Sequence, residues 1–289
     1  AGVIFAKVPA QGKLSMSIGS LHQAGEGSVI TPGMKPGSII PEDLGMKSNE
    51  LHRIDAIVQA GLAAGADPGC QVLVLKDGQT VYDKCFGIHS DKDTTAVRPT
   101  DLFDLASLTK TTATLLAVMK LYDGGKLKLT DKVSQYLPFL RSTNKKNITI
   151  KDLLLHESGL PPYIRFYLEV IDPNSVHGPY AQSWVDEWHR TRVSEHSYYC
   201  SDFKFKKGLV SEKESSVYNL HVADKMWLNK SFKNTILQKI ARCEMDSKRY
   251  VYSDLGFILL QQVVESIVKL PMDLYLAKEF YAPMGLQRT

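Results

Sequence analysis

Phe103-Asp104-Leu105-Ala106-Ser107-Leu108-Thr109-Lys110-Thr111 is the stretch on which the reading of this chain turns. From Ser107 to Asp123, Leu108, Leu115, Val118, Met119 and Tyr122 recur at three- and four-residue steps, and Gly124-Gly125 follows. That spacing predicts a helix opened by Ser107 and stopped by the glycines. Residues three apart share one helix face, so the Lys110 amine can reach the Ser107 hydroxyl. The positive end of the helix dipole stabilises an alkoxide there and favours a neutral amine that can take its proton. The same Ser-x-x-Lys spacing recurs at Ser142–Lys145, Ser201–Lys204 and Ser266–Lys269. Ser142 falls in a polar loop, Ser201 in an irregular stretch, and Ser266 at the wrong end of an apolar helix. Ser107 alone opens a helix. On spacing and position, a nucleophile and a plain N-cap serine with a solvated Lys110 both remain open.

Upstream, Gln71–Leu75 and Thr80–Phe86 flank Lys76-Asp77-Gly78-Gln79, the pattern of a β-hairpin with an Asp-Gly type I′ turn. Counting outward from that turn sets Cys70 across from Cys85, either as a bonded pair or as two buried thiols. A helix capped by Ser48 or Asn49 precedes the hairpin, with Leu51, Ile54, Ile57 and Val58 on one face. Residues 1–47 are rich in Gly, Pro and Ser, carry one alternating stretch at Lys13–Ile18, and read as an extension and linker. Downstream, Val133–Leu137 and Lys151–His156 are short helical segments, and Ser158-Gly159-Leu160-Pro161-Pro162 breaks the second. Residues 163–250 are aromatic and charged, with helical patterns at Ala181–His189 and Lys230–Ala241; they are read as a helical insertion. Leu255–Leu270 is the last clear apolar helix, and Tyr252-Ser253-Asp254 stands at its entrance. A tyrosine there can be a packed aromatic, or a general acid/base if an ammonium lies beside it.

The 289 residues are 44% hydrophobic and 23% charged, with a net charge of +4 from intermixed Lys, Arg, Asp and Glu. The basic clusters Lys204-Phe205-Lys206-Lys207 and Lys145-Lys146 read as solvated loops, and no nucleic-acid partner is expected. No apolar run approaches the ~18 residues of a membrane span. Cys70, Cys85, Cys200 and Cys243 have no metal-ligand spacing, so no zinc site is expected. The opening Ala1-Gly2-Val3 lacks a start Met and a leader pattern, which suggests a segment excised from a longer polypeptide.

Taken together, four segments resemble one family in the right order. Phe103–Thr111 is similar to the catalytic helix start of class C β-lactamases and D-alanyl-D-alanine carboxypeptidases, the penicillin-binding-protein-like serine hydrolases. Gly125–Pro138 resembles the segment after that helix. Ile148–Pro161, with His156-Glu157-Ser158-Gly159, resembles the next hallmark, and Tyr252-Ser253-Asp254 sits where the family has Tyr-Ser-Asn. The resemblance implies an α+β, β-lactamase/transpeptidase-like fold over 48–289: an antiparallel sheet flanked by helices, with 163–250 inserted. It implies Ser107 as the acylated nucleophile, Lys110 as proton acceptor, Tyr252 as partner base and Asp254 as substrate-binding. His156 and Gly159 would be structural.

The resemblance further implies hydrolysis of an amide, peptide or ester bond in a D-alanyl peptide, a β-lactam or a small ester. It implies no metal or organic cofactor, and a bacterial, extracytoplasmic setting. Two departures stand out. Asp254 replaces the family's Asn, so its carboxylate should hold Lys110 protonated and shift the burden to Tyr252. A Lys/His-x-Gly strand has no counterpart before Thr289, so a further C-terminal segment, or a neighbouring copy in a homo-oligomer, is expected to cover the open sheet. Ala10–Ile18 with Gly25-Glu26-Gly27 resembles the tail of a family 3 glycoside hydrolase, implying an upstream β-N-acetylglucosaminidase-like domain. The alternative reading is then a non-catalytic peptidoglycan-binding accessory module of such a glycosidase.

Overall fold

The computed structural model describes residues 40–90 and 92–286. The Lys13–Ile18 strand, the linker before residue 40 and the glycosidase-like stretch lie outside the described residues. The chain divides into two compact units, one of residues up to Ser107 together with those from Leu276 onward, the other Leu108–Tyr275.

In the first unit a three-stranded antiparallel sheet is ordered β1 (Gly69–Lys76), β2 (Gln79–Ser90), β3 (Asp93–Ala96). The β1–β2 connection is the expected tight turn: Asp77 and Gly78 both take positive φ, 50° and 76°, as a type I′ turn requires. Its consequence for the cysteines differs from expectation. Lys76 pairs with Gln79 and Leu75 with Thr80, but Val74 pairs with Tyr82, leaving Val81 as a bulge. Beyond it every partner slips by one, so Cys70 faces Phe86 and Cys85 faces Gln71. A one-residue slip moves a side chain to the other face of the sheet. Both thiols are free.

The bulge is explained by what it buries. Val81 and Tyr82 both enter the core with Leu51, against Leu44, Met46, Ile54, Val72, Val74 and Phe86. From the Arg53–Ala63 helix, Asp55 accepts hydrogen bonds from the Tyr82 hydroxyl and from Lys84 Nζ (2.7 Å). Ser48 does not cap its helix; its hydroxyl donates to Glu42 Oε2 at 2.8 Å instead. β3 is four exposed residues, too short and polar to show a strand period.

In the second unit the core surrounds the Asp254–Val268 helix, whose Leu255, Leu259, Leu260, Val263 and Val264 are fully buried. Each such side chain contributes roughly 1.5–3 kcal/mol relative to exposure. This helix packs on the short helices Val133–Tyr136 and Ile150–Leu154 and on the helical run 108–123. Gly256 faces Leu153 of the Ile150–Leu154 helix, where a Cβ would lie 3.5 Å from Leu153 Cδ2, an ordinary van der Waals contact. The helix ends where Lys269 turns left-handed (φ 58°) ahead of Pro271.

The 163–250 span corrects the expectation of a helical insertion. It holds two small antiparallel sheets. One has the order β4 (Ala181–Gln182), β6 (Ser197–Tyr199), β5 (Thr191–Ser194); the other β7 (Val210–Ser211), β9 (Met226–Asn229), β8 (Tyr218–Ala223). The one helix of length is Phe232–Arg242, close to the pattern read at 230–241. Ala181–His189 is not helical. Thr191, Val193, Tyr198, Tyr199, Tyr218, Val222 and Trp227 are β-branched and aromatic residues that suit pleated, half-buried strands.

Lys145 is a second correction. It is buried, not solvated, and its ammonium donates to Asn144 Oδ1 (2.7 Å) and to the Cys243 carbonyl. Lys146 beside it is exposed, as expected. Among the described residues no single helix is long and apolar enough to cross a membrane.

Candidate active site

Ser107 is the last residue of the first unit and immediately precedes the helical run 108–123. Before it, Ala106 is held at φ 44° with its amide donating to Asp104 Oδ1 at 2.9 Å. A left-handed alanine costs on the order of 1–3 kcal/mol, and such strain clusters at functional sites. In the second unit, Lys110 begins a π-helical turn, Lys110–Leu115, a widened geometry that recurs where side chains are positioned for function. The Thr111 and Thr112 hydroxyls both donate to the Leu108 carbonyl at 2.9 Å.

Two of the three rival Ser-x-x-Lys pairs find other employment. Lys145 is tied to Asn144 and Cys243, Ser266 Oγ donates back to the Val263 carbonyl at 2.7 Å, and Lys269 is the left-handed end of a helix.

The Ile150–Leu154 helix is started by a reciprocal cap. Asp152 N donates to Thr149 Oγ1 (3.1 Å), and Thr149 N donates to Asp152 Oδ2 (2.8 Å). The helix is closed by His156 at φ 57°. The loop that follows acts as a clamp for the segment entering the long helix. Asp246 N donates to Gly159 O (2.9 Å), Val251 N to His156 O (2.9 Å) and Asp254 N to Pro162 O (2.9 Å). Ser253 contributes two more bonds, its amide to His156 Nδ1 (3.0 Å) and its hydroxyl to Pro161 O (2.7 Å). Gly159 is required in this clamp: at φ 78°, a Cβ would sit 2.4 Å from the Asp246 carbonyl oxygen. The His156–Pro162 motif therefore fixes the backbone of Tyr252-Ser253-Asp254, a role the sequence marked only as structural.

Clamped in this way, residues far apart in sequence converge. Lys110 Nζ lies 2.6 Å from Asp254 Oδ1 and 5.0 Å from the centre of the Tyr252 ring. The Lys110 side chain is 15% exposed and that of Asp254 50%, so the pair sits near the surface rather than in the deep interior. Partial burial works to lower the Lys110 pKa, but hydrogen bonds to Asp254 and Tyr252 and their attraction outweigh it and raise it. The balance favours the ammonium form of Lys110. Asp254 also occupies the first turn of its helix, where the dipole favours a negative charge. Tyr252 is 44% exposed. Among the described residues no group of three or more His, Cys, Asp or Glu could hold a metal ion.

With this geometry in view, comparison with known proteins is specific. The family model described as Beta-lactamase matches residues 54–199, and the chain belongs to that family. It is 27% identical over 269 residues to an N-acetylmuramyl-L-alanine amidase of Bacillus subtilis, covering 89% of this chain and 49% of the relative. It is likewise 27% identical over 265 residues to a putative D-alanyl-D-alanine carboxypeptidase of Salmonella typhimurium, covering 86% and 49%. The chain spans about half the length of these curated relatives.

Among solved structures, the octameric penicillin-binding protein homologue from Pyrococcus abyssi superimposes with a TM-score of 0.55 at 20% identity, covering 82% of this chain and 44% of that one. FmtA from Staphylococcus aureus gives 0.53 at 18% identity, covering 88% and 52%. The fold is the β-lactamase/transpeptidase-like α+β fold, with helices and antiparallel sheets.

Proposed function

We propose that this chain carries the nucleophile-bearing part of a serine hydrolase that works through a covalent acyl-enzyme. The observation that carries the reading is the meeting of Lys110, Tyr252 and Asp254 beside the segment Ser107 leads into, with Lys110 and Asp254 144 residues apart in sequence. Ser107 Oγ attacks the carbonyl carbon of an amide, peptide or ester, and its proton passes to the Tyr252 oxygen. The Lys110 ammonium stabilises the negative charge on that oxygen and, being held protonated by Asp254, is not the base. The tetrahedral intermediate collapses as Tyr252 returns the proton to the leaving amine or alcohol, leaving an ester on Ser107. Water then repeats the sequence to release the acid. The Ser107 amide at the start of a helix supplies one donor to the oxyanion.

A D-alanyl peptide, a β-lactam or a small ester fits this chemistry. The cell-wall activities named for the relatives support an extracytoplasmic setting. The octameric relative supports a homo-oligomer as one way to cover the sheet edge. Labelling with a fluorescent penicillin and with a fluorophosphonate tests the reading. One covalent adduct on Ser107 is expected, and binding of peptidoglycan fragments without any adduct would favour a non-catalytic accessory module instead.

A further inference from the structure

His156 touches the site from three directions without belonging to the proposed proton path. Its Nδ1 accepts the Ser253 amide at 3.0 Å, and its carbonyl accepts the Val251 amide at 2.9 Å. Its ring lies 4.5 Å from the Tyr252 ring at 37°, with Phe257 (5.2 Å) and Tyr250 (6.2 Å) completing an aromatic surround. The residues on either side of Tyr252 are thus bonded to the same histidine that supports its ring.

We infer that His156 is a positioning residue for Tyr252, and that only its neutral imidazole, with the lone pair on Nδ1, can do this. The inference rests on Tyr252 having the role proposed above.

The argument is one of donors and acceptors. A backbone amide can only donate, so the bond to Nδ1 exists only while that nitrogen carries a lone pair. A protonated ring would face the Ser253 N–H donor to donor and would release the backbone that aims Tyr252. Burial and the nearby Lys110 charge act in the same direction: they lower the His156 pKa and outweigh the smaller opposing contributions from the Ser253 contact and the Asp254 carboxylate. The ammonium thus keeps the imidazole neutral, and the neutral imidazole keeps the tyrosine beside the ammonium. Among the described residues, Lys110 and Asp254 are the charged groups acting on this ring and Tyr250 and Tyr252 the titratable rings packed against it. The left-handed backbone of His156 (φ 57°) narrows the replacements to residues that tolerate it, of which asparagine is one. The asparagine oxygen can also accept the Ser253 amide.

The test places 3-fluorotyrosine at position 252 and follows its fluorine resonance from pH 8 to pH 4 in the full chain, in parallel with fluorophosphonate acylation. In the wild type the resonance should shift in one step on the acid side as His156 protonates, and acylation should fall in the same step. His156→Asn should keep a single narrow resonance, lose that acid step, and acylate within about threefold of wild type at pH 8. His156→Phe keeps a ring and loses the acceptor; it should broaden or split the resonance and slow acylation about 10²-fold, the scale of a small misplacement. An acid step that survives in His156→Asn, or a resonance unchanged in His156→Phe, would overturn the inference. If no variant, wild type included, forms an adduct, the hydrolase reading fails, while the fluorine titration still decides whether His156 holds Tyr252.

Discussion

Asp186 takes two hydrogen bonds from His189 on a single oxygen, Oδ1: the backbone amide at 2.7 Å and ring Nδ1 at 2.9 Å. The other ring nitrogen, Nε2, faces the Pro179 carbonyl at 2.7 Å. Both partners are acceptors only, so both nitrogens carry protons and this buried histidine is an imidazolium. The Pro179 carbonyl raises its pKa, burial opposes, and Asp186 adds to the rise. Burial would raise the Asp186 carboxyl, but hydrogen bonds from Gln182, His189 and Trp188 hold it far below the usual range.

The sign of the resulting pH dependence follows. A raised folded pKa gives stability that is complete below the ordinary histidine value of about 6.5 and is lost as pH climbs through the folded value. The depressed Asp186 contributes above the ordinary carboxylate range and loses its share as pH falls through its folded value. The melting temperature of His189→Gln should therefore lie furthest below wild type in mildly acidic solution, with the gap closing as pH rises toward 9. A gap independent of pH would mean that folding leaves the His189 pKa unshifted, and a gap that widens as pH rises would mean that His189 is held neutral.

Restoring the amide at position 254 should speed acylation. Asp254→Asn removes the carboxylate that lies 2.6 Å from Lys110, so the ammonium's charge is no longer neutralised by it and stabilises the charged Tyr252 oxygen, the proton acceptor, more strongly. We expect a faster pseudo-first-order rate with an activated ester at pH 7 to 8. An equal or slower rate would show the carboxylate to be adapted to this site.

Ser107→Ala should abolish the fluorophosphonate adduct in an intact-mass spectrum, despite the three other Ser-x-x-Lys pairs. Lys110→Ala and Tyr252→Phe should each slow acylation by about 10²–10⁴-fold, with far-ultraviolet circular dichroism unchanged. Persistence of the adduct in Ser107→Ala would move the nucleophile elsewhere.

Gly159→Ala should damage the site from a distance. The new Cβ would press to 2.4 Å on the Asp246 carbonyl oxygen at a backbone φ of 78°, a conformation that costs a non-glycine residue about 1–3 kcal/mol. Denaturant titration should show that loss, and acylation should fall with it, because the displaced segment runs on into Tyr252. Equal stability of the variant would mean the clamp is slack.

Much of this was legible in local pattern, and what was not legible depended on distant partners. Asp77-Gly78 announced the turn because two consecutive positive φ angles have few sequence solutions. The bulge at Val81 left no such mark, since it is set by the demand of Leu51 and its neighbours for two adjacent buried residues. Tyr252 and Asp254 could be placed at a helix start, but their meeting with Lys110 comes from a clamp formed by the carbonyls and ring of residues 156–162, which backbone-blind pattern reading cannot see. Lys145 read as solvated because its partner, the Cys243 carbonyl, is 98 residues away. The 163–229 span misled most: its aromatic and charged residues have a helical rhythm in places, while the chain forms short, half-buried to exposed strands there.

The extra residue at Val81 has a chemical consequence for the hairpin. By setting Cys70 against Phe86 and Cys85 against Gln71, it turns the two thiols to opposite sides of one sheet, where neither can serve as the other's oxidation partner. The hairpin thus gains no covalent lock in air and loses none to a reductant. Its melting should be the same with and without dithiothreitol, and whatever holds the strand leading toward Ser107 in place does so identically in a reducing or an oxidising compartment.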